Sequence, residues 1–91
     1  MSSPRAFLDA NFESDQIKAT LERRGYKMSD VVRMTVYLTA DPKRQDGRMD
    51  FQGMNEAYRM FFGTTENPNV VARSTVQVSA LANPFYLVEI E

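Results

Sequence analysis

The segment VVARSTVQV, residues 70–78, places an arginine inside a run of strand-forming residues. Its valines are β-branched and apolar, which favours a half-buried strand. Arg73 carries a charge that is almost never buried without a partner. Its guanidinium is a planar fork that can hold a carboxylate through two parallel hydrogen bonds. We therefore expect Arg73 either to bind a carboxylate ligand or to pair with an acidic side chain.

The acidic side chain that suits this pairing is Glu89, in the last predicted strand, YLVEIE. Successive side chains of a strand point to opposite faces, so Arg73 and Thr75 share one face. We expect the more apolar faces to lie under helices, which leaves Arg73, Thr75 and Glu89 on the opposite face of the sheet, with Arg33 and Tyr37. Taken alone, this pattern fits a solvated outer face with a surface ion pair as well as a binding site.

The same predicted face also carries apolar side chains, namely Val31, Val71 and Leu87. A chain of 91 residues buries a modest share of its surface when it folds alone. A half-apolar sheet face on such a chain favours contact with other copies of the protein.

The composition restricts the chemistry of such a site. The chain has no histidine and no cysteine, which removes the usual general base, the thiolate nucleophile and the commonest zinc ligands. Eleven basic and twelve acidic residues give a net charge of −1, without a basic track for nucleic-acid phosphates. No apolar run has the length of a membrane span, and the first residues lack a signal-peptide core. We expect a cytoplasmic protein that binds neither membrane nor nucleic acid and uses no metal or cofactor.

The first helix is predicted from Asp15 to Arg24. Ser14 is a suitable N-cap, and Gly25 suits the position that follows the last turn. Residues 1–13 show no clear period, so we predict an irregular lead-in there.

A second helix follows the loop ADPKRQDGR, with Asp50 as its N-cap and Gly63 at its end. Alternating apolar residues predict strands near 31–39, 70–79 and 86–91. The order helix, strand, helix, strand, strand indicates an α+β domain in which the helices cover one face of a small sheet.

Four segments, GYKMSDVVRMTVYLT, FQGMNEAYRMFFG, ENPNVVARSTVQV and LVEIE, resemble in order and spacing the RidA/YjgF family of imine deaminases, whose older name is the L-PSP endoribonuclease family. The resemblance covers residues 14–91. It implies a chorismate-mutase-like α+β fold, with two helices on one face of a small mixed sheet. It also implies a homotrimer with active sites in the clefts between subunits. The hairpin with which such proteins usually begin is not recognisable in residues 1–13.

The resemblance also implies roles for three residues. Arg73 falls on the arginine that holds the substrate carboxylate, and Glu89 on the glutamate that orients water. Thr75 falls on a position that lines the pocket. The implied substrates are enamines and imines such as 2-aminoacrylate, which are hydrolysed to a keto acid and ammonia. Such a hydrolysis needs a positioned water and proton transfer, which a glutamate can supply without cysteine, histidine or metal.

Two other functions stay open at this stage. A regulator of the same fold would bind a small carboxylated molecule through Arg73 and hydrolyse nothing. A ribonuclease is disfavoured by the net charge of −1. In the second helix, Met54, Tyr58, Phe61 and Phe62 are interpreted as packing residues, and Asn55 receives no catalytic role.

Overall fold

The computed structural model describes residues 4–83 and 85–91. Its elements are helix α1 (Pro4–Arg23), a 3₁₀ turn (Met28–Asp30), strand β1 (Arg33–Leu38), helix α2 (Phe51–Tyr58), strand β2 (Ala72–Gln77) and strand β3 (Val88–Ile90). The predicted order of elements is confirmed, and each strand lies inside its predicted range. No helix among these residues is long and apolar enough to cross a membrane.

Helix α1 is much longer than predicted. Residues 4–13, predicted to be irregular, form its first half, while residues 1–3 lie outside the described part of the chain. The buried stripe of this half consists of Ala6, Ala10 and Ser14, spaced by one turn each. Small side chains give a weak apolar period, which is why the sequence pattern did not reveal it. Ser14 is therefore a buried residue within the helix and not its N-cap.

The ends of the helices follow local chemistry. Gly25 has a φ of 83° and follows α1 as predicted. The Asp50 carboxylate accepts a hydrogen bond from the Gly53 N–H at 3.1 Å, which confirms the predicted N-cap of α2. Helix α2 ends at Tyr58, before the predicted Gly63, because the chain tightens there into successive turns.

The sheet has the strand order β2-β1-β3, with β1 parallel to β2 and antiparallel to β3. It is therefore the small mixed sheet that the resemblance implied. Met34, Val36 and Leu38 of β1 are buried against the helices, while the alternate residues of β1 lie on the outer face. Both helices pack on the same side of the sheet.

Part of the predicted interface face is core. Leu87 is only 4% exposed, and Val31 and Val71 pack against the buried cluster, so these three do not form an outer apolar patch. Val71 lies two residues before Arg73 and packs on the helix side of the sheet, while Val31 and Leu87 lie outside the strands, where strict alternation does not apply. Arg33 and Tyr37 do occupy the outer face.

Candidate functional site

Arg73 lies on the side of the sheet that the helices cover. In the parallel ladder it is paired with Met34, and Thr75 is paired with Val36, both of which are buried under the helices. The prediction that Arg73 and Thr75 project from the opposite face is therefore wrong. The alternation was assigned correctly, but Val76 is 43% exposed on this edge strand, so its apolar character did not mark the buried face.

Neutral groups of helix α2 hold the Arg73 guanidinium. Its Nη1 donates a hydrogen bond to Asn55 Oδ1 at 2.9 Å and lies 3.9 Å from the Met54 sulfur. The guanidinium carbon is 4.4 Å from the centre of the Tyr58 ring and 5.6 Å from that of Phe51, which are cation–π distances. Within the described residues no carboxylate pairs with Arg73, and no hydrogen bond engages its Nε or Nη2. The cation is fixed in place with most of its donors unused.

Tyr58 connects the helix to the strand that carries Arg73. Its hydroxyl accepts a hydrogen bond from the Val71 N–H at 3.2 Å, while its ring faces the guanidinium. Its ring also lies 4.9 Å from that of Phe62. Tyr58 therefore does more than the packing predicted for it, because it positions both the backbone before Arg73 and the guanidinium itself.

Sequence reasoning did not assign Asn55 and Tyr58 to the site. The available signal was their spacing: Phe51, Asn55 and Tyr58 recur at four and three residues, so they share one face of α2. A polar Asn55 inside that apolar stripe needs a hydrogen-bond partner, and the arginine of the neighbouring strand is that partner.

Arg73 opens into a cleft of about 530 Å³ between helix α2 and the segment that leads into β2. The lining residues are Asn55, Tyr58, Arg59, Phe62, Gly63, Val70, Val71 and Arg73. Two of them are arginines and none is acidic. The cleft therefore combines apolar walls with an uncompensated positive charge, which suits a small organic anion.

Glu89 does not meet Arg73 within the chain. It is paired with Tyr37 in the antiparallel ladder and is exposed on the outer face of the sheet, as predicted. Strand β1 lies between β2 and β3, so the two residues are on opposite faces and on opposite sides of the central strand. The expectation that they come within hydrogen-bonding distance is wrong for a single copy.

Thr75 is on the same side of β2 as Arg73, but it does not line the cleft. Its hydroxyl oxygen is buried and has no hydrogen-bond partner among the described residues. A pocket-lining role for Thr75 stays a prediction.

Two carboxylates of α1 bind the backbone of the last strand. The Leu87 N–H donates to Asp9 Oδ2 at 2.8 Å, and the Ile90 N–H donates to Glu13 Oε1 at 3.2 Å. These contacts could not be predicted once residues 1–13 were assigned to an irregular lead-in. They fasten the first half of α1 along β3.

Glu13 is the group whose protonation is most altered by this packing. Burial raises the pKa of its carboxyl from 4.5 to about 7. The hydrogen bond from Ile90 lowers it, and the nearby charges of Glu89 and Asp9 raise it further. Glu13 therefore titrates near neutral pH.

The described part of the chain has no cluster of side chains that is typical of a metal site. No group of three or more histidine, cysteine, aspartate or glutamate side chains there is arranged to hold a metal ion. The polar side chains that line the cleft are those of Arg59, Arg73, Asn55 and Tyr58.

The sequence model of the Endoribonuclease L-PSP family matches residues 10–91. A RutC family protein of Pyrococcus horikoshii is 40% identical over 77 residues, which are 85% of this chain and 52% of that protein. The chain belongs to the RidA/YjgF family. It spans about half the length of the curated relatives that it matches, including 46% of a RutC family protein of Haemophilus influenzae.

Solved structures that resemble this chain have the same fold. A Mycobacterium tuberculosis member of the YjgF family superimposes with a TM-score of 0.68 at 28% identity, covering 89% of this chain and 59% of that one. E. coli TdcF with bound serine superimposes with a TM-score of 0.69 at 30% identity, covering 89% of this chain and 57% of TdcF. The two helices and small mixed sheet implied by the resemblance are therefore confirmed for this chain.

Proposed function

We propose that this RidA/YjgF chain forms a deaminase of small carboxylated imines and enamines of the 2-aminoacrylate type. The observation that carries the proposal is the Arg73 guanidinium, held by Asn55 and Tyr58 in an open cleft with no acidic partner among the described residues. A cation fixed in this way by neutral groups is suited to a carboxylate supplied by a ligand.

The reaction is a hydrolysis and needs no redox partner. Water adds to the carbon of the C=N bond, the nitrogen takes a proton, and the resulting carbinolamine loses ammonia to leave the keto acid. Glu89, acting as general base, accepts a proton from the attacking water and returns it to the leaving nitrogen. Arg73 holds the substrate carboxylate throughout, so the electrophilic carbon stays in one place.

The two groups belong to opposite faces of the sheet, which favours a site shared between copies. Arg73 of one copy and Glu89 of a neighbouring copy would meet in a cleft between subunits, as the family resemblance implies for a homotrimer. The exposed position of Glu89 on the outer face supports this arrangement, because the residue is free to meet a second chain.

The relatives support the ligand class. TdcF is described with bound serine, a small amino acid that has the carboxylate and nitrogen of an imino acid. Since the chain spans about half of its curated relatives, their activities come to it as part of this proposal.

The second candidate is a regulator that binds a keto or amino acid and performs no chemistry. It is favoured by the separation of Arg73 from Glu89 within one copy, because the binding group is present without the water-orienting group. A ribonuclease, named in the family description, is the third candidate, and the cleft residues offer no general base within the chain.

The test combines turnover with binding. A pyridoxal-phosphate enzyme that releases 2-aminoacrylate is mixed with the protein, and the rate of conversion to pyruvate and ammonia is followed. We expect the parent protein to accelerate the release of pyruvate and ammonia relative to a mixture without it. Glu89→Gln, which retains the size of the side chain but loses its basicity, should accelerate this release little. Unchanged release with measurable pyruvate binding would identify a regulator. If the parent neither accelerates the release nor binds pyruvate, the cleft is not a site for small carboxylated molecules. Cleavage of RNA by the protein would favour the ribonuclease.

A further inference from the structure

The Arg73 cleft contains a second arginine, and this residue is unused by the reaction proposed above. Arg59 lines the same cleft, and no acidic side chain does so among the described residues. A substrate with a single carboxylate would engage Arg73 and leave the second cation of the cleft without a partner.

Helix α2 and its C-terminal cap carry both Arg59 and the residue that holds Arg73. Arg59 follows the last residue of the helix and lies one turn beyond Asn55, the residue that holds Arg73. One turn separates the two positions by about 6 Å along the helix axis. Because Asn55 holds Arg73, the same helix supports both arginines of the cleft.

The side chain of Arg59 is exposed and has no ion pair or hydrogen bond within the described residues. Glu56 lies one turn before it on the same helix, yet no ion pair joins these two side chains. Arg44, by contrast, pairs with Asp46 at 2.7 Å. The charge of Arg59 is therefore available to a ligand in the cleft.

The cleft that contains the two arginines also has apolar walls. Val70, Val71 and Phe62 line the cleft, and Val70 is 77% exposed. An apolar wall is suited to the methylene groups that separate the carboxylates of a dicarboxylic acid. A ligand that covers an exposed valine also removes apolar surface from water, which favours binding.

We infer that the cleft prefers substrates with two carboxylates, namely the imines of short dicarboxylic amino acids such as aspartate and glutamate. This inference rests on the proposed function, because it assigns the first carboxylate to Arg73 and the second to Arg59. The hydrolysis is unchanged: water is added, ammonia leaves, and the product is a dicarboxylic keto acid. Arg59 takes no part in bond making or breaking and determines specificity.

A cation at this position also interacts favourably with the C-terminal end of a helix dipole. That role would make Arg59 a contributor to stability without any effect on ligand choice. The two explanations are separated by measuring thermal unfolding and ligand preference on the same variants.

The experiment titrates the protein with 2-oxoglutarate, which has two carboxylates, and with 2-oxobutyrate, which has one. We expect the parent to bind 2-oxoglutarate roughly tenfold more tightly, the effect of one additional charge-assisted hydrogen bond. Arg59→Gln should bring the ratio of the two affinities close to one. Arg24→Gln, which removes an exposed arginine in the turn after α1, should leave the ratio of the parent unchanged.

Equal affinities in the parent, or an unchanged ratio in Arg59→Gln, would overturn the inference. A lower unfolding temperature of Arg59→Gln with an unchanged ratio would assign the residue to the helix terminus. Inorganic phosphate that competes as well as 2-oxoglutarate would show a general dianion site and also overturn it. If neither keto acid binds the parent, the proposed function itself fails; if 2-oxobutyrate binds without a dicarboxylate preference, only this inference fails.

Discussion

Arg73 shows how a charge can be kept on the covered side of a sheet without an acidic partner. Its contacts are an amide oxygen, a thioether sulfur and two aromatic rings, all of which favour a cation but do not neutralise it. Half-burial on an edge strand lowers the cost of desolvation, because part of the guanidinium still reaches water. The residue is thereby oriented by α2 and still available to a ligand.

Replacing Arg73 by lysine tests the planar fork. The charge is retained, but only a point charge remains, so one of two parallel hydrogen bonds to a carboxylate is lost. We expect affinity for pyruvate, measured by isothermal titration, to fall roughly ten- to hundredfold. Arg73→Ala should bind more weakly still and remain folded, because the residue is only half-buried. Parental affinity in Arg73→Ala would refute the role of this residue.

Asn55 is expected to act on ligands through Arg73. In Asn55→Ala the guanidinium loses its 2.9 Å hydrogen bond and is held only by the rings and the sulfur. Pyruvate affinity should fall by roughly five- to tenfold, less than the full value of one hydrogen bond to a charged group, because the rings and the sulfur still hold the guanidinium. Because Asn55 is a positioning residue, its loss should weaken binding of substrate more than it changes the rate at saturation.

Gln52→Ala is the matched control for Asn55→Ala, since it truncates an exposed amide on the same helix outside the cleft. It should bind pyruvate like the parent. If the two alanine variants bind equally well, the hydrogen bond between Asn55 and Arg73 has no part in ligand binding.

At the scale of elements, the contact between α1 and β3 links stability to pH. The folded chain raises the pKa of Glu13 from 4.5 to about 7, so folded protein binds a proton that unfolded protein has released in this range. The contribution of Glu13 to stability is complete below about pH 4.5 and is lost as the pH rises through about 7.

Glu13→Gln should remove this part of the pH dependence. The amide keeps an oxygen for the Ile90 N–H and carries no charge that burial would penalise. We expect a gain of about 1 kcal/mol in the free energy of unfolding at pH 8 relative to the parent, with allowance for solvent screening. At pH 5 the difference should be much smaller.

Urea unfolding at the two pH values measures the effect of Glu13→Gln. Glu22→Gln, at an exposed position of the same helix, is the control and should keep the pH dependence of the parent. A pH dependence in Glu13→Gln that equals that of the parent would show that Glu13 titrates like a solvent-exposed carboxyl.

The elements that could be predicted are those whose local signals are strong. The alternation of β1 and the N-cap at Asp50 are confirmed, because each depends on neighbours in sequence. The start of α1 was missed because its buried positions, Ala6 and Ala10, are small. The face of Arg73 was assigned wrongly because it depends on which residue of β1 is its partner, and pairing is a property of distant segments.

At the scale of the whole molecule, the sheet separates the two groups that the proposed reaction needs. Arg73 lies on the helix side of one edge strand, while Glu89 lies on the outer face of the other. Within a single copy, Glu89 therefore cannot reach a ligand held by Arg73. The proposed homotrimer resolves this separation, since a cyclic arrangement brings one surface of each copy against a different surface of the next.

Mixing two inactive variants tests whether the site is shared. Arg73→Ala lacks the carboxylate holder and Glu89→Gln lacks the base, so each should be nearly inactive alone. In a co-refolded equimolar mixture, a cleft between copies is complete when a Glu89→Gln chain supplies Arg73 and its neighbour supplies Glu89. When the chains assemble at random into a ring, about a quarter of the clefts have this composition. We therefore expect about a quarter of parental imine hydrolysis, in a species that sediments as a trimer.

The same variants mixed without refolding should remain inactive, because their subunits have not exchanged. A co-refolded mixture no more active than either variant alone, or a stable monomer at micromolar concentration, would contradict a shared site.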